Sequence, residues 1–281
     1  PNIISVCDDG LKGFFVPLFI GKPCPMVYER HVSKNIEIKS DTTSFFQKVK
    51  LKFVFTFMNF GAKKYNKFVV LTKGNVNEWS LNNLEVISNP LSFYPKEVST
   101  LENKTVIAVG KHCHQKGYDR LLKSWKLLSD KYYDWKLEIY GSIDKKEGLH
   151  DLAKKLKIEK SVTFFPPEKN IGEKYKSASI YVMSSRYEGF GMVLIEAMAY
   201  GVPCVSFDCP YGPSDIIKEN IDGYLVPNGD IKTLSKRIIH LIESKSKRKE
   251  MGINARENVL RFSPEVIVPK WDKLFKNLIN Q

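Results

Sequence analysis

The sequence lacks an even or regularly spaced set of cysteines. Neither the odd number nor the spacing fits the disulfide framework of a small secreted domain, so we expect a reduced, cytoplasmic compartment. Cys113 lies between His112 and His114, but no second ligand pair follows at the spacing typical of zinc sites, and we predict no metal site. The five cysteines are Cys7, Cys24, Cys113, Cys204 and Cys209.

Motifs that define several other classes of protein are also missing. No apolar run reaches the roughly 18 residues needed to cross a bilayer, and the opening residues lack the layout of a signal peptide. No Gly-x-Gly-x-x-Gly follows a predicted strand, which argues against a dinucleotide-dependent dehydrogenase. No clear Asp-x-Asp metal motif lies beside a strand, and no lysine is placed convincingly for the pyridoxal phosphate of a phosphorylase.

Acidic residues are scarce relative to basic ones. The chain has 31 Asp and Glu against 44 Lys and Arg, a net charge of +13. One interpretation is a solvated basic surface, and another is attraction to anionic lipid or to phosphate-bearing substrates. We do not expect a nucleic acid partner, because no aromatic-basic motif or reading helix is found. The chain begins at Pro1, and we expect its numbering to start partway into a longer protein.

Short apolar strands alternate with amphipathic helices from about residue 105 onward. This alternation predicts an open parallel α/β sheet covered on both faces, which binds ligands at the carboxyl ends of its strands. The predicted strands are Thr105–Val109, Trp135–Tyr140, Val162–Phe165, Ile180–Ser184, Pro203–Phe207 and Tyr224–Val226. The predicted helices are Tyr118–Ser129, Leu149–Leu156, Ile171–Ser177, Met192–Tyr200, Ser214–Glu219, one capped by Asp230 that runs to about Ser244, and two more that end with Pro264–Leu278.

Residues 1–98 have a different pattern. Met26–Glu29 and Phe68–Leu71 are typical of buried strands, and Ser92–Asn103 is predicted to be a linker. Between the strands, the stretch Phe45–Lys67 interleaves lysines with phenylalanines. Two interpretations stay open for it: an amphipathic helix that covers a sheet, or an interfacial helix that touches a membrane.

The segment Tyr187–Cys204 carries the strongest functional signal. It follows a predicted strand with a loop that contains Gly189 and Gly191, and a helix then begins at Met192. The first amides of that helix, those of Gly191, Met192 and Val193, lack partners inside it and form a predicted anion site. Glu188 in the loop and Glu196 one turn into the helix flank this site, and carboxylates accept hydrogen bonds from vicinal diols. Together they predict a site for a sugar nucleotide.

A second loop, Val109–Asp119, also lies between a strand and a helix. Lys111 and Lys116 bracket it, beside Gly110 and Gly117. Two cations at this place would neutralise a diphosphate and the charge that grows on a leaving nucleotide. Surface lysines of a lysine-rich protein are the alternative interpretation.

These two loops resemble those of a large family of retaining glycosyltransferases that add hexoses to bacterial glycolipids, lipopolysaccharide and capsules. Its signature is a glutamate, seven residues and a second glutamate, which Glu188 and Glu196 match. The resemblance is close over Asn89–Asn280 and loose over Pro1–Ser88. It implies the α/β fold called GT-B, in which two Rossmann-like domains face a cleft.

The resemblance also implies a role for each matched residue. Glu188 would contact the donor sugar and Glu196 the ribose, while the backbone of Gly189, Phe190, Gly191, Met192 and Val193 would hold the diphosphate and sugar. Gly110, Lys111 and Lys116 match the basic pairs of the family, which usually has arginine in place of Lys111. Pro166 and Pro167 fall where the family lines its base pocket, Tyr211–Ile217 resembles a segment of its galactosyl- and N-acetylhexosaminyl-transferring branch, and His31 resembles a histidine near the donor sugar.

The expected protein is therefore a metal-independent, retaining hexosyltransferase that uses a nucleoside-diphosphate sugar, with uridine as the expected base, and no cofactor. A glycan or lipid-linked acceptor and peripheral contact with an anionic membrane on its cytoplasmic face are expected as partners. A non-catalytic nucleotide-sugar-binding subunit is the alternative. The expected domains are an incomplete N-terminal one at 1–98, a nucleotide-sugar-binding one at 99–263, and a C-terminal helix at 264–281 that packs back on the first. No strand with a glycine-rich loop, as family members have at their start, is found before Val16.

Overall fold

The chain folds into two parallel β-sheets with helices on their faces. A computed structural model describes residues 1–37 and 44–280. Four strands form the first sheet and six form the second, and every strand pair in both sheets is parallel. The parallel arrangement expected from the alternating pattern is confirmed.

The first sheet is built in sequence order, β1-β2-β3-β4. Stacked aromatic rings fill the core on one of its faces; Tyr28 and Phe68 lie 5.1 Å apart, with Phe14 over both. A strand does precede Val16, contrary to expectation, and the loop after it contains Gly10 and Gly13. The strands are β1 (Ile4–Cys7), β2 (Met26–Arg30), β3 (Lys67–Val70) and β4 (Leu84–Val86), and the helices are α1 (Val16–Ile20), α2 (Phe45–Ala62) and α3 (Lys73–Val76).

The second sheet follows the predicted alternation closely. Its strands are β5 (Thr105–Val109), β6 (Lys136–Tyr140), β7 (Val162–Phe165), β8 (Ile180–Met183), β9 (Cys204–Asp208) and β10 (Gly223–Pro227). Its helices are α4 (Tyr118–Ser129), α5 (Leu149–Lys155), α6 (Ile171–Ser177), α7 (Met192–Ala199), α8 (Pro213–Ile216) and α9 (Ile231–Glu243). Most boundaries lie within one or two residues of the prediction; the helix expected at Ser214–Glu219 is a single short turn that ends at Ile216.

The order of strands in the second sheet determines where a ligand can bind. The order is β10-β9-β8-β5-β6-β7, so the chain winds outward from β5 in one direction and then from β8 in the other. The loops after β5 and β8 therefore leave the sheet side by side at their carboxyl ends, which is the switch point where parallel sheets bind ligands. Both predicted functional loops begin there.

Two last helices complete the chain, α10 (Lys245–Asn258) and α11 (Pro264–Ile279). Although α11 follows the second sheet in sequence, its apolar side lies on the first sheet. Ile267, Leu274 and Leu278 form one buried cluster with Val27 of β2 and Val69 of β3. The C-terminal helix therefore covers the face of the first sheet opposite the aromatic core.

Candidate functional site

Lys116 and Glu188, on the two loops at the switch point, form an ion pair. The Nζ of Lys116 lies 2.7 Å from Oε1 of Glu188, and the Oγ of Ser185 donates to the same oxygen at 2.6 Å. Burial opposes the charge on Lys116, but the Glu188 carboxylate outweighs it and raises the pKa of Lys116. The site thus holds a partly buried cation and a buried anion side by side.

The two loops approach so closely that a side chain would not fit between them. A Cβ on Gly117 would lie 2.2 Å from the carbonyl oxygen of Ser184, and Gly117 has φ of +61°. Arg186 links the two loops through a bidentate ion pair with Asp119, at 2.8 and 3.1 Å. Gln115 adds a hydrogen bond from its Nε2 to the carbonyl oxygen of Tyr187, at 3.1 Å. These contacts fix the loop that carries Glu188.

Helix α7 begins at Met192, directly after that loop. Its first amides have no acceptor within their own helix, as expected for a helix start. The side chain of Phe190 is buried and its ring packs edge-on against Phe262 at 5.3 Å, so this residue offers a ligand only its backbone. Met192 and Val193 are partly exposed.

Glu196 lies one turn into α7 and accepts a hydrogen bond from the hydroxyl of Tyr175 at 3.0 Å. Burial raises the pKa of Glu196, and the Tyr175 hydrogen bond and the charge of Lys116 only partly offset this effect. Lys116 therefore acts on both glutamates of the signature. The structure brings Lys116, Glu188 and Glu196 together, as the sequence predicts.

His31 follows β2 of the first sheet and meets the Glu188 loop across the gap between the sheets. A Cβ on Gly189 would lie 1.9 Å from the carbonyl oxygen of His31, so only glycine permits this approach. The Nε2 of His31 lies 3.3 Å from Oε2 of Glu29, and this hydrogen bond raises the pKa of His31. His31 thus stands at the edge of the site, held by a carboxylate.

A cavity of about 310 Å³ opens beside the switch point, over the carboxyl ends of β5 and β6. Gly110 and Lys111 line one side of it, while Tyr140 and Pro167 line another. The ring of Tyr140 stacks on Phe165 at 4.7 Å. Both prolines were predicted to lie beside a base pocket; Pro167 lines this cavity, and Pro166 is not among its lining residues.

Few groups in the described part of the chain offer several metal ligands together. Cys7, Glu29 and His31 are the one such group among residues 1–37 and 44–280, with ligand atoms within 4.8 Å of one another. His112 is fully buried against Phe164, away from any such group, and all five cysteines are free thiols. Within the same ranges, no helix combines the length and the apolar character needed to cross a membrane.

The sequence matches a known family over the part of the chain that carries these loops. The model of the family described as "Glycosyl transferases group 1" matches residues 93–258, more than half of the chain. The chain belongs to the group 1 glycosyltransferases. This family assignment confirms the resemblance inferred from Glu188 and Glu196.

Two curated relatives of this glycosyltransferase domain are more than one-third identical to it over the aligned residues. An uncharacterized glycosyltransferase of Haemophilus influenzae is 37% identical over 73% of the chain and 60% of its own length. The amylovoran biosynthesis glycosyltransferase AmsD of Erwinia amylovora is 36% identical over 74% of the chain and 61% of its own length. The chain thus spans about 60% of the length of these relatives.

The fold matches solved glycosyltransferase structures of the GT-B class. A crystal structure of Staphylococcus aureus TarM, in complex with fondaparinux, alpha-GlcNAc-glycerol and UDP, superimposes with a TM-score of 0.80 at 28% identity, covering 96% of this chain and 55% of that one. The match extends over both sheets. The GT-B architecture expected from the sequence is therefore confirmed, in a chain shorter than its relatives.

Several residues that contact the candidate site residues were not predicted from the sequence. Ser185 and Arg186 follow β8 after one residue, Ser184, and polar residues at the end of a buried strand are a signal that could have indicated them. Glu29 and Asp119 lie on other elements, and nothing in their local sequence indicates the contacts they make. Their partners come together only through the sheet topology.

Proposed function

We propose that this glycosyltransferase domain moves a hexose from a nucleoside-diphosphate sugar to a glycan or lipid-linked acceptor in the synthesis of a bacterial surface polysaccharide. The observation that carries the proposal is the cluster of Lys116, Glu188 and Glu196 at the start of α7. It supplies a cation for phosphate and carboxylates for sugar hydroxyls at one strand switch point. The name of AmsD, an amylovoran biosynthesis enzyme, supports the polysaccharide assignment.

The donor is proposed to lie across the two loops. Its diphosphate rests on the first amides of α7, where the helix dipole and unpaired donors favour an anion. Lys116 contacts Glu188 in the loop that precedes these amides, and Lys111 lines the neighbouring cavity. Glu196 accepts the hydroxyls of the ribose, and Glu188 those of the hexose. We propose uridine as the base, supported by the UDP bound to TarM, with the cavity at Tyr140 and Pro167 as its pocket.

In the proposed reaction the bond between the anomeric carbon and the phosphate oxygen breaks first. Negative charge then grows on the diphosphate, where Lys116 and the amides of α7 stabilise it. The acceptor hydroxyl attacks from the same face, and its proton passes to the departing phosphate oxygen, so configuration is retained. His31, at the opposite edge, contacts the hexose. No metal is assigned to any step.

The first test removes the carboxylate that would grip the hexose. Replacing Glu188 by Ala is expected to abolish transfer from UDP-hexoses while UDP itself still binds, because UDP carries no hexose. Transfer is measured with radiolabelled donors and an acceptor extract, and binding by calorimetry. The exposed glutamate Glu159, which lies outside the cavity at Tyr140 and Pro167, is replaced by Ala as the matched control. Full turnover by the Glu188→Ala variant would remove this residue from the mechanism.

A further inference from the structure

Helix α2 carries two apolar faces rather than one. The inner face packs into the first domain: Met58 and Ala62 are fully buried, and Gly61 lies against the backbone of Phe14. The second face lies on the other side of the helix and is open to solvent. We call it the phenylalanine stripe; its members are Phe46, Val49, Phe53, Phe57 and Phe60.

The spacing of the phenylalanine stripe matches the turns of the helix. Successive members are three or four residues apart, which aligns them along one side. Their exposed fractions run from 40% for Val49 to 83% for Phe46. Phenylalanine stacked along an exposed helix face costs free energy in water, so a row of this kind marks a binding surface.

The stripe continues onto the neighbouring helix. The ring of Phe57 meets that of Phe15 edge-on at 6.3 Å, just before α1. On α1 itself, Leu18, Phe19 and Ile20 are each more than half exposed. The two helices therefore present one apolar surface, and Phe19, at 86%, is its most exposed side chain.

The charged residues of helix α2 are all basic. Lys48, Lys50 and Lys52 are exposed on α2, and this helix has no acidic residue. Within residues 1–37 and 44–280, none of the three pairs with a carboxylate. A second copy of the chain on this surface would bring like charges together, so self-association is disfavoured. An anionic partner with an apolar interior satisfies both features.

We propose that the phenylalanine stripe and its lysines dock this protein onto a membrane that contains anionic lipid. Phenylalanine rings of a helix lying in the membrane plane reach about 5–10 Å below the headgroups, while lysines at its edges contact lipid phosphates. The proposal does not depend on the proposed sugar transfer. If both hold, docking would bring the site to a lipid-linked acceptor.

Vesicle sedimentation of the full chain tests the proposal. The wild type is expected to bind phosphatidylcholine vesicles weakly, and vesicles that also contain phosphatidylglycerol much more tightly. The variant Phe46→Ser/Phe53→Ser/Phe57→Ser should bind the anionic vesicles at least about tenfold more weakly, because three buried rings are lost. The variant Lys48→Gln/Lys50→Gln/Lys52→Gln should lose about fivefold for each lysine and most of its salt sensitivity.

Matched variants on the second domain serve as controls. Tyr133→Ser/Ile253→Ser removes two exposed apolar side chains, and Lys154→Gln/Lys155→Gln/Lys157→Gln removes three exposed lysines. Both are expected to bind as the wild type does. If the lysine control loses as much vesicle affinity as the α2 lysine variant, the effect depends on net charge alone and the proposal is overturned. Unchanged binding of the phenylalanine variant to anionic vesicles would also overturn the proposal. The same holds if the wild type is an oligomer and this variant becomes a monomer without losing vesicle binding.

Insertion depth is measured separately with tryptophan at position 53. Fluorescence of Phe53→Trp is expected to be quenched by brominated lipid in anionic vesicles, and that of Tyr133→Trp is not. Equal quenching of the two would contradict the proposed orientation. Sugar transfer to a water-soluble acceptor is expected to be unchanged in the phenylalanine variant, so failure of docking and failure of transfer are distinguishable.

Discussion

The ion pair between Lys116 and Glu188 has consequences for how the site would accept a ligand. In the structure these two groups neutralise one another at 2.7 Å in a largely buried place. When a diphosphate takes Lys116 as its partner, Glu188 keeps the hydrogen bond from Ser185 but needs a new partner in place of the cation, because a buried carboxylate without its counter-charge is costly. Hydroxyls of a bound hexose would supply that partner. The pair therefore favours a ligand that carries both phosphate and sugar over inorganic diphosphate.

Glu196 gives the site a pH dependence whose sign follows from burial. Its pKa is raised above the ordinary value, so it takes up a proton at a higher pH than an exposed glutamate does. If its carboxylate accepts the ribose hydroxyls, UDP affinity is full above that raised pKa and falls as the pH drops through it. Glu196→Gln is expected to bind about tenfold more weakly, with a flatter pH profile.

Calorimetric titration of UDP at a series of pH values checks this prediction. The phosphate of UDP titrates equally with both proteins, so the difference between wild type and Glu196→Gln isolates the glutamate. Circular dichroism at each pH confirms that the fold persists. Parallel profiles for the two proteins would contradict a role for the Glu196 carboxylate in binding.

At the scale of single residues, sequence indicates a candidate site where the signal is local. Lys116 and Glu188 lie in loops between a strand and a helix, Glu196 lies one turn into the helix, and the structure places these three residues near one another. The contact of Arg186 with Asp119 joins residues 67 positions apart, so no spacing could indicate it. Pro166 and Pro167 were both predicted to lie beside a base pocket, but only Pro167 lines the cavity at this edge of the sheet, because sequence alone does not fix which residue of a turn faces a cavity.

At the scale of elements, the two sheets meet through a short contact beside the site. The carboxylate of Asp215, at the start of α8, accepts hydrogen bonds from the backbone amides of Lys73 and Gly74, at 3.1 and 3.3 Å. The ring of Tyr211 also lies against Gly74. These contacts set the distance between the first domain, with His31, and the loops of the second.

Asp215 is therefore expected to matter for turnover more than for nucleotide binding. Asp215→Ala removes both acceptors and should reduce kcat/KM about tenfold or more, because a small misplacement of facing groups slows a reaction strongly. UDP affinity should change little, since the loops that would hold UDP all belong to the second domain. Steady-state kinetics and calorimetry measure the two effects.

The exposed aspartate Asp208, at the end of β9, supplies the matched control for this prediction. Asp208→Ala should leave both quantities unchanged. A parallel loss of UDP affinity and turnover in Asp215→Ala would mean that the residue shapes the nucleotide site itself. Asp215→Asn, which keeps one acceptor oxygen, is expected to fall between the wild type and the alanine variant.

The elements of the second domain were easier to predict than those of the first. Its strands and helices alternate in clean periods, and β5, β7 and α4 match their predicted bounds. In the first domain, the residues of β1 alternate between partly and fully exposed and β4 is three residues long, so neither stands out as an apolar run. Helix α2 is the exception, because the stretch Phe45–Lys67 was predicted to be helical and the helix begins at Phe45 and ends at Ala62.

At the scale of the whole molecule, the chain returns from the second domain to close the first. Helix α11 lies outside residues 93–258, which match the glycosyltransferase family model, yet it covers one face of the first sheet. Without it, Val27, Val69 and Ile87 would lose their apolar cover. The stability of the first domain is therefore tied to a helix at the far end of the sequence.

Leu274, which is 6% exposed, gives a direct measure of that connection. Leu274→Ala leaves a cavity against the first sheet and is expected to lower the free energy of unfolding by about 2–3 kcal/mol. Val268→Ala on the same helix, at a position 55% exposed, should change it by less than about 0.5 kcal/mol. Urea unfolding provides both values.

Because α11 packs on β2 and β3, hydrogen exchange should quicken in those strands in Leu274→Ala while β8 and β9 keep their protection. Equal loss of protection in both sheets would mean that the two domains unfold as one unit, and α11 would then not be a separate support of the first.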